Sequence, residues 1–368
     1  MLVGVLLGLT NFFTFAWARP WGVAGGLRNW GDNFFSMIGL YQGESISVFL
    51  STNSVLVFGL LWGAFISALL AKEFAFRLSP PFELFKGLLG GVFMGIGAAM
   101  AGGCNIGGFY SAISALSLSG FTMMIGLFLG AFLGLKYLYW ELNRIPPSQK
   151  KASEKQTSFN LNKFAPFFGL VFFISALISA FIYSQMAYSR IGILLLCGLV
   201  FGIILHRSRF CFARCFRDPM MTGDASVSKA AILSILIGTI GFAALKWAGI
   251  RAEGVYVNEA FWFGSLVGGV IFGFGMIIAG GCGSGSLWRA GEGHLKLIIA
   301  VISFSLATSL FKKWLTSSEA LDQFMGFSVF LPDHLTYPGA IAFTIIILLA
   351  IYLFVAWNER SEKIVIEF

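Results

Sequence analysis

The chain has 368 residues, of which 57% are hydrophobic and 11% charged, with a mean hydropathy of +0.83 and a formal net charge of +8. Such a composition excludes an ordinary soluble globular domain. The positive balance does not imply nucleic-acid binding, because Lys and Arg fall in the connections between hydrophobic segments and form no basic stripe interleaved with aromatics.

A helix needs about 20 apolar residues to cross about 30 Å of hydrocarbon. Only an element that satisfies its own backbone hydrogen bonds can cross. Segments of that length recur without the short alternating pattern of a membrane barrel, so the expected class is an all-α polytopic membrane protein. In chain order the expected spans are 2–17, 54–71, 84–103, 121–140 and 164–183, then 191–206, 230–248, 261–281, 295–311 and 337–357. The first has neither the basic leader nor the small-residue cleavage site of a signal peptide, and reads as a span. The 41 Phe and ten Trp read as lipid-facing or interfacial packing.

Five spans in each half is an odd number, so two repeats would enter the membrane from opposite sides and be inverted. Basic residues gather on one side of that topology: Lys72 and Arg77, the 141–163 stretch, Arg207 to Arg217, and Arg360 with Lys363. The positive-inside rule then makes both termini cytoplasmic. The expected organisation is a single integrated membrane domain. It comprises a first-repeat core over 1–140, a basic cytoplasmic linker over 141–163, a fifth span over 164–184 and a second repeat over 185–368.

Within this frame one glycine-rich phrase is written twice. Gly90 to Gly107 aligns with Gly268 to Gly285 without a gap, and Cys104 aligns with Cys282, both at an offset of 178 residues. Repeated hydrophobic segments broken by glycine at matching positions are how transporters place a substrate site near the bilayer midplane. After each Gly-Gly-Cys comes a segment too short to cross, 105–119 and 283–293, expected to be a re-entrant stretch lining a cavity. Freed backbone amides there are ready anion ligands. Gly91, Gly95, Gly269 and Gly273 read as helix-packing glycines. Gly102, Gly103, Gly280 and Gly281 abut the break and read as part of the site, with Asn105, Gly283 and Ser284.

A second shared element precedes the first in each half. In the second half it is Arg207 to Asp218, with Cys211 and Cys215; in the first it is Arg19 to Asn29, with Gly22 where Cys211 would be. Each reads as a half-inserted helix, which would bring Cys211 into line with Cys104 and Cys282. Arg209 and Arg217 would raise the local anion concentration.

The cysteines match no zinc spacing, and His206, His294 and His334 are scattered along the chain, so neither a metal nor a cofactor is expected. Cys211 and Cys215, four apart, read either as a clip for a soft metal, as a redox pair or as two exposed thiols. Cys197 reads as a small buried hydrophobe. A thiol at a helix break can hold the terminal sulfur of an anion weakly enough to release it.

At these residues the chain resembles the YeeE/YedE family of bacterial inner-membrane proteins, closest to the YedE type. The motifs are Met100 to Asn105, Phe210-Cys211-Phe212 with Phe216-Arg217-Asp218 and Thr222-Gly223, Gly273-Phe274-Gly275 leading to Cys282, and Trp288-Arg289-Ala290 with Glu292-Gly293. The resemblance covers nearly the whole chain. It implies an hourglass-like, pseudo-two-fold fold in which cysteines relay thiosulfate, with Cys104, Cys211 and Cys282 as candidate stations; the YedE branch is also linked with selenium. Gly22 departs from the thiosulfate transporters.

The leading expectation is uptake of a small sulfur-containing anion, with a selenium compound as the alternative substrate. The alternative class is a membrane sulfurtransferase passing persulfide sulfur to a small cytoplasmic carrier of the TusA type, with the arginines beside Cys211 lowering its pKa. No nucleotide-binding motif is present.

Overall fold

The computed structural model describes residues 1–41, 46–144, 164–318, 323–363 and 365. In chain order the helices are α1 (Leu2–Trp17), α2 (Ala24–Met37), α3 (Thr52–Leu70), α4 (Pro81–Met100), a π-helical turn (Asn105–Tyr110) running into α5 (Ser111–Ser114), α6 (Ser119–Arg144) and α7 (Ala165–Gln185). The second half comprises α8 (Ser189–Ser208), α9 (Phe212–Met221), α10 (Ser226–Trp247), α11 (Phe263–Ala279), α12 (Gly283–Gly291), α13 (Leu295–Thr316) and α14 (Leu331–Ser361). Among the described residues the protein is all-helical, and nine helical stretches are long and apolar enough to cross a membrane. α1, expected as a tenth span, is a shorter apolar helix of 16 residues.

Local sequence explains the ends. Pro80 and Pro81 open α4, where a missing amide costs nothing and φ is preset. Ser51 caps α3 by accepting from the Ser54 amide. α4 and α11 stop where Gly102 and Gly280 take left-handed backbones, with φ of 67° and 81°.

The helices then pack with the halves exchanged. α1 lies on α10 while α8 lies on α3, and α4 lies on α13 while α11 lies on α6. At the centre, the duplicated helices α4 and α11 meet. Gly90 faces Gly275 and Gly97 faces Gly268, so close that a Cβ on any of these glycines would meet backbone on the facing helix at 2.5–2.7 Å. The early glycine of one helix meets the late glycine of the other, so they run antiparallel and use the same face. Reciprocal contacts of this kind are how equivalent units pair about a two-fold axis. Gly91 and Gly95 pack on α13, and Gly269 and Gly273 on α6, as helix-packing residues should. The α11–α12 stretch has 67% of its most apolar window buried, whereas α7 has 22% and α14 has 17%. The duplicated helices therefore form the interior, and α7 and α14 turn apolar surface outward.

The linker expectation changes at its start. α6 continues through Arg144, because Glu141 is buried and receives a 2.8 Å hydrogen bond from Lys86 on α4. A buried carboxylate with a cationic partner belongs to the packed helix. Residues 145–163 lie outside the described residues.

Candidate functional site

The two breaks have the same backbone. Cys104 has φ −75° and ψ 179°, Cys282 has φ −80° and ψ −177°, and each carbonyl accepts a 2.7 Å hydrogen bond from the amide four residues on, Gly108 and Ser286. Each cysteine thus stands at the N-terminal end of its re-entrant helix. There the unpaired amides of a helix start favour an anion. The breaks adjoin: a Cβ at Gly283 would lie 3.7 Å from the Cys104 Cβ and 3.8 Å from Asn105 Oδ1.

Cys104, Cys211 and Cys282 are all buried, and no cysteine among the described residues is in a disulfide. Cys211 precedes α9, and its Sγ lies 3.5 Å from that of Cys282. Cys282 Sγ also accepts from the Gly285 amide at 3.3 Å and lies 3.6 Å from Ser284 Oγ. A Cβ at Gly285 would collide with the Cys211 sulfur, so glycine there makes room for the thiol pair. Asn105 is fully buried with neither amide atom hydrogen-bonded, and the buried Ser286 hydroxyl is likewise unpartnered. Buried polar groups are nearly always paired, so unpaired ones beside three thiols are available to a polar guest.

The segment before each break is tied down in parallel fashion. Ser111 Oγ donates to the Trp21 carbonyl at 2.7 Å, and Trp288 Nε1 donates to the Phe210 carbonyl at 3.0 Å. Those carbonyls immediately precede Gly22 and Cys211. Two cavities approach from opposite ends of α4, a 20-residue helix and therefore roughly 30 Å long. One, of about 390 Å³, is lined by Arg19, Gly22, Gly102, Gly103, Cys104 and Tyr256. The other, of about 280 Å³, is lined by Lys86, Ala213, Arg217, Gly280 and Lys296 among others. Cys211 and Cys282 are buried, two residues along the chain from Ala213 and Gly280, which line the second cavity.

Three sequence expectations change. Cys211 and Cys215 do not form an exposed pair: Cys211 is buried against Cys282, while Cys215 is half-buried and lies 3.8 Å from the Cys211 carbonyl. Starting α9 at Phe212 turns the Cys211 side chain inward, toward the break. Cys282, expected only as a thiol at a helix break, has Cys211 and Ser284 flanking its sulfur. Arg209 is not a free attracting charge. Its Nη1 donates to both carboxylate oxygens of Glu292 at 2.7 and 2.8 Å, and its Nη2 donates to Glu73 at 2.6 Å. Arg217 donates to Asp218 at 2.9 Å and still lines the smaller cavity. Cys197 is half-buried within α8, away from the breaks.

The histidines, scattered in sequence, converge in part. Glu73, His206 and Glu292 have donor atoms within 4.8 Å of one another. His294 and Arg77 join the group, with Arg77 Nη1 3.2 Å from Glu292. The Arg209 guanidinium bridges both carboxylates, so side chains supply the positive charge there. Burial pushes the Glu292 pKa up, but hydrogen bonds from His294 and Arg209 and the charges of Arg209 and Arg77 outweigh it and hold it at about 2. This network closes the end of the Cys211 segment: Arg209 has a left-handed φ of 54° and lies 5.4 Å from the Trp288 ring centre. Sequence reading missed Glu73, Glu292, Ser286 and Tyr256 as parts of the site. Of these only Glu292 carried a signal, as part of the Glu292-Gly293 motif.

A family model described as sulphur transport matches residues 1–133 and 207–367. The probable transporter YedE of Escherichia coli (strain K12) is 27% identical over 295 residues, covering 75% of this chain and 71% of that protein. The probable transporter YedE of Salmonella typhimurium is 25% identical over 298 residues, with the same coverage of 75% and 71%. The thiosulfate transporter TsuA of Escherichia coli (strain K12) is 34% identical over 119 residues, covering 32% of this chain and 33% of that protein. No solved structure matches.

Proposed function

This chain belongs to the sulphur-transport family, the YeeE/YedE group, and from that premise we propose that it moves a small sulfur-containing anion, thiosulfate first among them, along buried thiols. The observation that carries this reading is the Cys211–Cys282 thiol pair, 3.5 Å apart, with the unpartnered Asn105 of the Cys104 break against Gly283, next to Cys282. Thiols hold a soft sulfur end by weak S–H donation, while the Asn105 amide and the amides at the helix starts accommodate the oxygens. Several weak stations in series permit release as well as binding.

In this reading the anion enters from the cavity at Cys104, passes to Cys282 and Cys211, and leaves through the cavity at Arg217. The antiparallel pairing of α4 and α11 supports inverted repeats, and the basic loops support a bacterial inner membrane with both termini cytoplasmic. Reporter fusions at Arg360 and within 145–163 should both read cytoplasm; a periplasmic signal at either overturns that topology. Cys211 is 1% exposed, which weighs against the sulfurtransferase reading, because a carrier protein must reach the sulfur it collects.

The decisive experiment is uptake into vesicles holding purified protein, with thiosulfate, sulfate and selenite as alternative substrates. Thiosulfate uptake that is lost in Cys104→Ala and Cys282→Ala, with both variants inserted and folded, is the expected result. Uptake unchanged in both would sink the relay, and preference for selenite would move the substrate to selenium.

A further inference from the structure

The second half holds the Cys211 thiol against Gly285; the first half holds Gly22 against Gly107, and its missing side chain is replaced from a distance. The Tyr256 hydroxyl lies 2.7 Å from where a Cβ on Gly22 would stand and 3.1 Å from the Cβ position of Gly107. Gly107 is the counterpart of Gly285 in the repeat. The phenolic oxygen therefore takes, by pseudo-symmetry, the place of the absent sulfur.

Its position is enforced. Tyr256 has a left-handed φ of 66°, a conformation a bulky residue adopts only when its surroundings require it. The loop carrying it is anchored at three points. Arg251 Nη2 donates to the Ala16 carbonyl at 2.7 Å, Asn258 Nδ2 donates to the Ala101 carbonyl at 2.7 Å, and the Asn258 amide donates to Ser117 Oγ at 3.2 Å. Ala101 immediately precedes Gly102, so the loop is tied to the Cys104 break itself. The Arg19 guanidinium lies 5.9 Å from the Tyr256 ring centre, and both side chains line the cavity of about 390 Å³ that reaches Cys104. Burial raises the phenol's pKa against the pull of Arg19, so the hydroxyl keeps its proton and can donate it to a hydrogen bond.

We propose that Tyr256 is a substrate-binding residue, donating its hydroxyl to an oxygen of the incoming anion at the first station, where the other half uses a thiol, while Arg19 supplies the attracting charge. The inference rests on the transport reading above and sharpens it. A hydroxyl is a harder and stronger donor than a thiol and suits oxygen, whereas the Cys104 thiol suits sulfur. The fitting substrate class is an oxyanion with one soft terminal atom, held by its oxygens at Tyr256 and by that atom at Cys104.

The test is the concentration dependence of thiosulfate uptake into vesicles holding wild-type protein, Tyr256→Phe, or Gly22→Cys combined with Tyr256→Ala. Loss of one hydrogen bond to an anion corresponds to about a tenfold rise in KM, expected in Tyr256→Phe with the maximal rate within about twofold of wild type. The double variant rebuilds a thiol at the vacated place and should return KM to within about threefold of wild type by the same comparison of donors. A wild-type KM in Tyr256→Phe, or a double variant no better than Tyr256→Ala assayed alongside it, overturns the assignment while leaving thiosulfate transport intact. Absence of uptake by the wild type overturns the transport reading and this one with it.

Discussion

At Cys282 a second thiol lies 3.5 Å away, while at Cys104 the corresponding place belongs to Gly22 and to the hydroxyl of Tyr256, on a loop more than two hundred residues beyond Gly22 in the chain. The two breaks nonetheless share a left-handed glycine, the same cysteine backbone angles and the same 2.7 Å hydrogen bond across the first turn. Duplication has preserved the peptide geometry of the break and let its side-chain company diverge. In the proposed reading the backbone geometry offers an anion the helix-start amides in each half, and the side chains set which end of the anion each half would meet.

The largest effects should come from the shared part. Cys104→Ala and Cys282→Ala are each expected to reduce thiosulfate uptake to background in reconstituted vesicles while the protein still elutes as a folded species, since each removes a thiol from a break that stays in place. Full uptake with Cys282→Ala would mean that the breaks are packing features only.

The next effect separates the halves. Gly285→Ala drives a methyl into the Cys211 sulfur and should cost most of the uptake, whereas Gly107→Ala meets only the Tyr256 hydroxyl at 3.1 Å and should cost a few-fold. Equal losses at the two glycines would erase the distinction drawn between the half-sites. In the same assay Cys211→Ser should be severe and Cys215→Ser mild, because only the first sulfur faces Cys282.

A smaller and purely structural difference lies in the ion-pair network under the second half. Glu292 is fully buried and paired with Arg209 and Arg77. Glu292→Gln should destabilise the protein by about 1–2 kcal/mol, because the half-exposed Arg77 and Arg209 lose a charged partner while Arg209 keeps Glu73. The pH dependence follows from the depressed pKa. The unfolded carboxyl titrates near 4.5 and the folded one near 2, so this contribution is complete above the unfolded value and is lost as pH falls toward 2. Thermal melts between pH 5 and pH 3 should show a falling midpoint in wild type and a flatter one in Glu292→Gln; parallel curves would assign the acid sensitivity elsewhere.

The smallest effect is expected at Cys197→Ala, with uptake unchanged and stability lowered by about 1 kcal/mol or less, since the residue is half-buried in α8 and touches neither break. A strong transport defect there would redirect the search for the path.

The all-helical class, both breaks and the candidate cysteines were legible in the sequence, because each rests on local rules. Span length follows from hydropathy, and the helix ends at the breaks follow from Gly102 and Gly280 within a few residues of each cysteine. The repeat register carried Gly102 and Gly280 to the same left-handed φ region without any knowledge of their neighbours. Tertiary structure alone decided what stands beside each thiol. Cys211 meets Cys282 across 71 residues of chain, Arg209 reaches Glu73 across 136, and Tyr256 fills the place left by Gly22. Such contacts depend on how α4 and α11 pack antiparallel and on where the loop after α10 is anchored. Hydrophobic periodicity does not encode those distances, because a membrane span satisfies its own backbone wherever its neighbours lie.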